Sequence, residues 1–215
     1  MKTFRSITPV SVARRLAVCA AAATLCACSA LQPKASAPPA FYALEYAQPS
    51  GTPLGTVSAH QAASTLVISP VRAASGFDSQ RIIYVREPHK LEYFAHSEWI
   101  DTPARMLGPL LVASIARAGA FKAVVMTSGA ASGELRLDTE IVRLQHDFQT
   151  RPSRVQLTLR AYLVDEKTRK VLAWREFDGI TAATSDEPYA GVVAANQAVQ
   201  TVLQEVSQFL AQRPN

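Results

Sequence analysis

From Arg154 to Val164 apolar and polar residues alternate. Val155, Leu157, Leu159, Ala161 and Leu163 fall on one side, Gln156, Thr158, Arg160 and Tyr162 on the other. A period of two over that length predicts a half-buried strand of an antiparallel sheet. The charged run Asp165–Lys170 is a turn, and Val171–Phe177 returns beside the first strand. Upstream, in Glu134–Phe148, Leu135, Leu137 and Ile141 share a face while Val142 and Leu144 continue on the opposite parity. Such a switch predicts a bulge near Ile141. Arg81–Arg86 and Lys90–Ala95 flank Glu87-Pro88-His89 and form a hairpin. Shorter strands are expected at Phe41–Tyr46, Thr65–Val71 and Phe121–Met126, with Pro70 marking an end or an edge. Between the first two lies a turn-rich stretch, residues 48–59, with Pro49, Gly51, Pro53 and Gly55.

Two segments carry the helical period. Asp101 or Thr102 can cap the first, Pro103 suits its first turn, and Gly119 stops it. Leu107, Leu110, Leu111, Ser114, Ile115 and Ala118 give it one apolar face, with a small gap at Ser114. The second runs from about Glu187 to Ala211, with Asp186 as cap and Pro188 in the first turn. Its buried stripe is Val192, Ala195, Val199, Val202, Val206 and Phe209, and Gln197, Gln200, Gln204 and Gln208 lie mostly outside. The sum is a single α+β domain: a mainly antiparallel, mixed sheet with two amphipathic helices packed on one face.

The N-terminus follows a different pattern. Lys2, Arg5, Arg14 and Arg15 precede an apolar run, Leu16–Ala27, that is too short to span a ~30 Å hydrocarbon core. This is a secretory signal. Its end, Leu25-Cys26-Ala27-Cys28, resembles the lipobox of bacterial lipoproteins, which implies cleavage before Cys28 and lipidation of its thiol. Cys19 and Cys26 would instead place Val18 or Leu25 at the small position before the cut. The chain therefore divides into a signal peptide (1–27), a lipidated Cys28 with a Pro-rich tether (28–40) and a folded domain (41–215). Two or three acyl chains anchor a protein stably. By the sorting rule of diderm lipoproteins, Ser29 after the anchor implies the periplasmic face of the outer membrane.

Processing alters the composition that matters. The precursor has 22 Lys and Arg against 17 Asp and Glu, a formal charge of +5. Removing the signal leaves 18 against 17, so there is no basic footprint for nucleic acid. All three cysteines lie at or before position 28. The mature domain has none for a disulfide, a metal site or a thiol nucleophile. His60, His89, His96 and His146 form no HExxH or i,i+4 pair. The mature chain has no G-x-S-x-G or S-x-x-K, and no Gly-Lys step for a P-loop. Asp165-Glu166 and Asp186-Glu187 read as turn and cap residues. Tyr84, Tyr93, Phe94 and Trp99 are either a partner- or lipid-facing patch or core packing above the first helix, and core packing is the commoner role. Neither cofactor nor catalytic residues are expected, other than the covalent lipid on Cys28.

Several short runs carry a family resemblance: Phe41-Tyr42-Ala43-Leu44, Phe77-Asp78-Ser79-Gln80-Arg81-Ile82-Ile83-Tyr84, Leu91-Glu92-Tyr93-Phe94, Glu98-Trp99 and Ala194-Ala195-Asn196. From Phe41 to Leu210 the chain resembles the ABC-type transport auxiliary lipoproteins, which include the C-type lipoprotein of the paraquat-inducible intermembrane system. The Asp165–Lys170 turn departs from relatives that often carry Gly after Asp. The resemblance implies a non-enzymatic role in lipid traffic between two membranes, beside an ABC permease, its ATPase and a mammalian-cell-entry (MCE) protein. The lipoprotein would dock the MCE conduit to the outer membrane, a geometry that a homo-oligomeric ring of lipoproteins would suit. A lipid-binding carrier and a periplasmic hydrolase are the alternatives. An acyl-sized apolar crevice would mark the carrier, and convergent polar residues in a cleft the hydrolase.

Overall fold

The computed structural model describes residues 38–45, 64–127 and 132–212. The signal, Cys28, the tether up to residue 37, the turn-rich stretch 48–59 and His60 lie outside them. The described elements belong to one folded unit, Pro39–Asn215.

Its spine is β7, Leu135–Asp147, hydrogen-bonded along one edge to β8, Arg154–Asp165. The expected bulge is there, between Ile141 and Arg143. Its effect is to re-aim the strand: Leu135, Leu137, Thr139 and Ile141 are buried before it, Leu144 and His146 after it. Beyond β8 runs β9, Val171–Ala182, longer than the sequence pattern indicates. Asp178-Gly179 reads locally as a turn, yet it stays in the strand.

The other edge of β7 is lined end to end by three short strands, all parallel to it. They are β2 (Thr65–Ile68), β3 (Arg72–Ala73) and β4 (Arg81–Val85). Pro70 breaks the ladder between β2 and β3, as its missing N–H requires. β2 also pairs with β6, Ala123–Met126. β4 forms the expected hairpin with β5, Glu92–Trp99, and β5 pairs in parallel with β1, Ala40–Tyr42. The nine strands of the described residues make an open mixed sheet. Five of its pairings are parallel and three antiparallel, but the two long ladders are antiparallel.

Both helices cover one face. α1, Pro103–Ala118, begins with Thr102, whose hydroxyl accepts from the Arg105 N–H at 3.4 Å, and ends at Gly119 in the left-handed conformation. Ala118, expected on the buried face, is exposed. α2, Pro188–Ala211, lies across β8 and β9. Its cap position is Glu187 rather than Asp186, and no side chain bonds there. Pro188 explains why this is tolerated, since it removes one orphan donor. The buried stripe of α2 is wider than the heptad reading, taking in Ala194, Ala198, Leu203 and Leu210. The gap at Ser114 is filled by polarity: its hydroxyl meets Ser207 Oγ of α2 at 3.0 Å and donates to the Leu203 carbonyl at 3.2 Å.

Candidate functional site

Among the described residues β9 pairs only with β8, so its far edge carries unpaired backbone donors and acceptors along the strand. One face of β9 is fixed to the core. Phe177 packs edge-on against Phe209 at 5.7 Å, and Gly179 lets the backbone of α2 approach. A Cβ at Gly179 would stand 2.5 Å from the Ala198 carbonyl.

The other face is open and mixed. Trp174, 61% exposed, stacks on Tyr162 at 6.2 Å, and Ile180 is 59% exposed. Between them Glu176 accepts from Arg160 at 2.9 Å and Asp178 from Thr158 at 2.5 Å. Val171 and Leu172 extend the apolar rim at one end. The ion pairs continue inward as Arg160–Glu140 and Arg136–Asp138. Exposed edges template pairing with another chain, and charges on the strand restrict which chain can pair. Chemically this surface is suited to pairing with a partner strand.

The other residues singled out by sequence are placed as follows. His146 and Ser153 lie within hydrogen-bond range, Nε2 to Oγ 3.0 Å, both almost fully buried. A nucleophile and a base stand at that distance, but a third orienting group is missing. Nδ1 of His146 has no partner and faces Gly191 of α2. Burial holds the imidazole below its ordinary pKa, with the charges of Asp186 and Asp147 opposing. The adjoining pocket, lined by Ile82, Trp99, Leu144 and Ala195, is about 10 Å³, room for one water. No substrate fits.

Asp165 is a turn residue: its carboxylate accepts from the Thr168 N–H at 2.6 Å, which holds its pKa below the usual value. His89 sits in the hairpin turn with φ +66°, and His96 on β5 is exposed. No group of three or more metal-ligating side chains occurs among the described residues. A larger open recess, about 370 Å³, lies by the β2–β3 break, lined by Ser69, Arg72, Arg136 and Asp138. Its lining mixes polar and apolar surface, and Arg136 is already engaged by Asp138 and Glu166.

The aromatic set divides. Trp99 is buried; Tyr84 and Phe94 meet at a tilt with centroids 4.6 Å apart and join Phe148 in a half-buried cluster. Tyr93 alone is mostly exposed, under the Arg81 guanidinium at 3.8 Å. Trp99 is a core residue and Phe94 packs against the core, whereas Tyr84 belongs to the half-buried cluster beside it. Trp174 escaped the sequence reading because Val171-Leu172-Ala173-Trp174 is a continuous apolar run, which does not tell which of its side chains face the open side of the sheet.

Among curated proteins none matches the chain. Two crystal structures share the fold. A Xanthomonas campestris protein of the DUF330 family is 23% identical, over 69% of this chain and 84% of its own, with a TM-score of 0.64. An uncharacterized protein is 12% identical, over 82% of this chain and 98% of its own, with a TM-score of 0.60. At such identities the likeness is one of fold. The family model for the ABC-type transport auxiliary lipoprotein component matches residues 42–207, nearly the whole folded unit. The chain belongs to the ABC-type transport auxiliary lipoprotein family.

Proposed function

We propose that the protein is the outer-membrane-anchored docking lipoprotein of an MCE-type ABC transporter that moves lipid between the two membranes. Its chemistry is recognition, and the observation that carries this reading is β9: a 12-residue edge strand with Trp174 and Ile180 exposed on it. Family membership supports association with an ABC transporter, and the permease, ATPase and periplasmic MCE protein are the partners proposed with it. The lipid on Cys28 confines the domain to the periplasmic face of the membrane. Confinement of several copies raises their effective concentration for a symmetric conduit, which favours a ring.

The carrier alternative needs an apolar crevice of acyl size. Of the two recesses described, one has room for a single water and the other is an open recess with Arg72, Arg136 and Asp138 in its lining. Neither suits a lipid tail.

The test is capture of the periplasmic part of the MCE protein encoded nearby by the tagged mature chain. Trp174→Asp and Ile180→Asp, both at exposed positions, should abolish capture with the fold intact. Undiminished capture by both variants removes β9 as the docking edge. Cys28→Ser should leave uncleaved precursor without incorporated palmitate analogue; undiminished labelling ends the anchor assignment. If a well-folded alanine substitution elsewhere abolished function while capture persisted, the hydrolase reading would replace this one.

A further inference from the structure

A second set of exposed apolar side chains gathers at the edge of the sheet opposite β9. Phe41 is 58% exposed, Ile100 62% and Tyr189 65%. They come from three elements and converge on Tyr42. Phe41 is its neighbour in β1, and Ile100 donates its N–H to the Tyr42 carbonyl at 2.7 Å. Tyr189, in the first turn of α2, holds its ring 6.3 Å from that of Tyr42. Val193, one helical turn further on, is also exposed. Phe41 projects from one face of this edge strand and Tyr42, with Tyr189, from the other, so both sides of the edge carry exposed apolar groups, more than single scattered ones that need no explanation.

We propose that this corner rests in the headgroup region of the membrane that carries the lipid anchor, and so orients the domain. The inference depends on the assignment of the anchor to Cys28. β1 is the first strand after the tether, and only twelve residues separate Cys28 from Ala40, at most roughly 40 Å of extended chain. No other strand is so close to the anchor along the sequence. The residue types also fit. Tyrosine combines an apolar ring with a polar tip, the composition favoured at a membrane–water interface, and Phe and Ile supply buried area beside it.

The charges nearby select the lipid. Glu98 is the register partner of Phe41, Asp101 follows Ile100 and pairs with Arg105 at 3.5 Å, and Glu187 precedes the turn that bears Tyr189. Arg81, the register partner of Glu98, and Arg105 are set against these three carboxylates, so among the described residues the corner shows no cationic surplus. Its adsorption is therefore apolar, suits zwitterionic phospholipid and is indifferent to salt. Acyl chains already retain the protein, so the corner supplies orientation. Along the path β1-β5-β4-β7-β8-β9, the lipid-facing edge and β9 are five strand spacings apart, about 24 Å. Seating β1 on lipid turns the β9 edge toward the periplasm.

Spin labelling of the acylated protein in zwitterionic vesicles tests this directly. The mature chain has no cysteine besides Cys28. Labels are placed singly through Phe41→Cys, Ile100→Cys, Tyr189→Cys and, as control, Trp174→Cys, all at sites more than half exposed. Collision rates are read with oxygen, which partitions into lipid, and with a polar nickel chelate. The oxygen-to-nickel ratio should be at least about threefold higher at 41, 100 and 189 than at 174, as for groups seated 5–10 Å into the interface. Equal ratios at all four sites overturn the proposal. Shielding from both probes that persists without vesicles also overturns it, in favour of a protein covering the corner. Label uptake by the parent protein, or its absence from the vesicle fraction, would instead refute the Cys28 anchor and this proposal with it.

Discussion

Asn196, near the middle of α2, is bonded to the backbone that follows β1. Its Oδ1 accepts from the Glu45 N–H at 2.7 Å, and its Nδ2 donates to the Ala43 carbonyl at 3.2 Å and the Val192 carbonyl at 3.1 Å. One amide side chain thus does for this segment what a neighbouring strand would do. Between the two bonded residues Leu44 is buried, and its N–H points to the Met106 sulfur at 3.4 Å. The anchor-proximal end of the domain is tied to both helices at this point.

Asn196→Ala removes both backbone partners. The expected cost is about 1–2 kcal/mol, since Glu45 is solvent-exposed and water replaces part of the loss. Hydrogen exchange at residues 43–45 should quicken more than in β7 or β8. Asn196→Asp keeps the acceptor but no donor, so it should fall between. Unchanged exchange in the alanine variant would mean that β1 holds this segment without the amide.

Local signals in the sequence translated well where a single residue type dictates a backbone event. Thr102, Pro103 and Gly119 bound α1 because capping and the left-handed stop are local. The parity switch after Ile141 exposed the bulge because burial follows the period of two. What stayed hidden is non-local. Nothing in Thr65–Ile68 or Arg81–Val85 says that both lie parallel to β7, and Gly179 resembles a turn residue until α2 is seen above it. The candidate surfaces were hidden for the same reason: Trp174, Tyr189 and Phe41 differ from buried aromatics only in where their elements end up.

Two glycines should resist alanine for different reasons. In a helix interior Gly→Ala ordinarily stabilises by about 1 kcal/mol. At Gly191 the added Cβ would stand 2.5 Å from His146 Nδ1, and at Gly179 it would meet the Ala198 carbonyl oxygen at 2.5 Å. Overpacking of this kind costs about 1–3 kcal/mol. Gly179→Ala should be the worse, because it opposes backbone rather than a ring. Urea unfolding of both variants checks the order. Pairing Gly191→Ala with His146→Ser should recover stability, and strict additivity would remove the clash as the cause.

Arg169 occupies the left-handed region at φ +61°, in the turn between β8 and β9. A side chain there costs about 1–2 kcal/mol. Its contact with Glu166 at 2.7 Å is an exposed ion pair and contributes little. Arg169→Gly relieves the strain but loosens the unfolded chain, leaving a net gain of up to about 1 kcal/mol. Arg169→Ala keeps the Cβ and should give no gain. Both variants lose the ion pair, so a thermal melt in which glycine is the more destabilising of the two would show that the added freedom of the unfolded chain outweighs relief of the left-handed strain.

The last prediction concerns acid. His146 is almost wholly buried, and burial keeps its imidazole below the ordinary value near 6.5. Between its folded value and about 6.5, the unfolded chain binds a proton that the folded chain refuses. Stability therefore rises with pH across that window. This contribution is complete above about 6.5 and is lost as pH falls below it. Asp165 and Glu134 are held low by backbone N–H donors of Thr168 and Thr65. Such carboxylates act only near and below about pH 4. The interval from pH 5 to 7 thus reports on His146 apart from them. His146→Gln, which keeps a donor for Ser153 and cannot titrate, should flatten the dependence of the urea midpoint on pH in that interval. Parallel midpoint curves for the parent and the variant would show that His146 is not the group that acid attacks first.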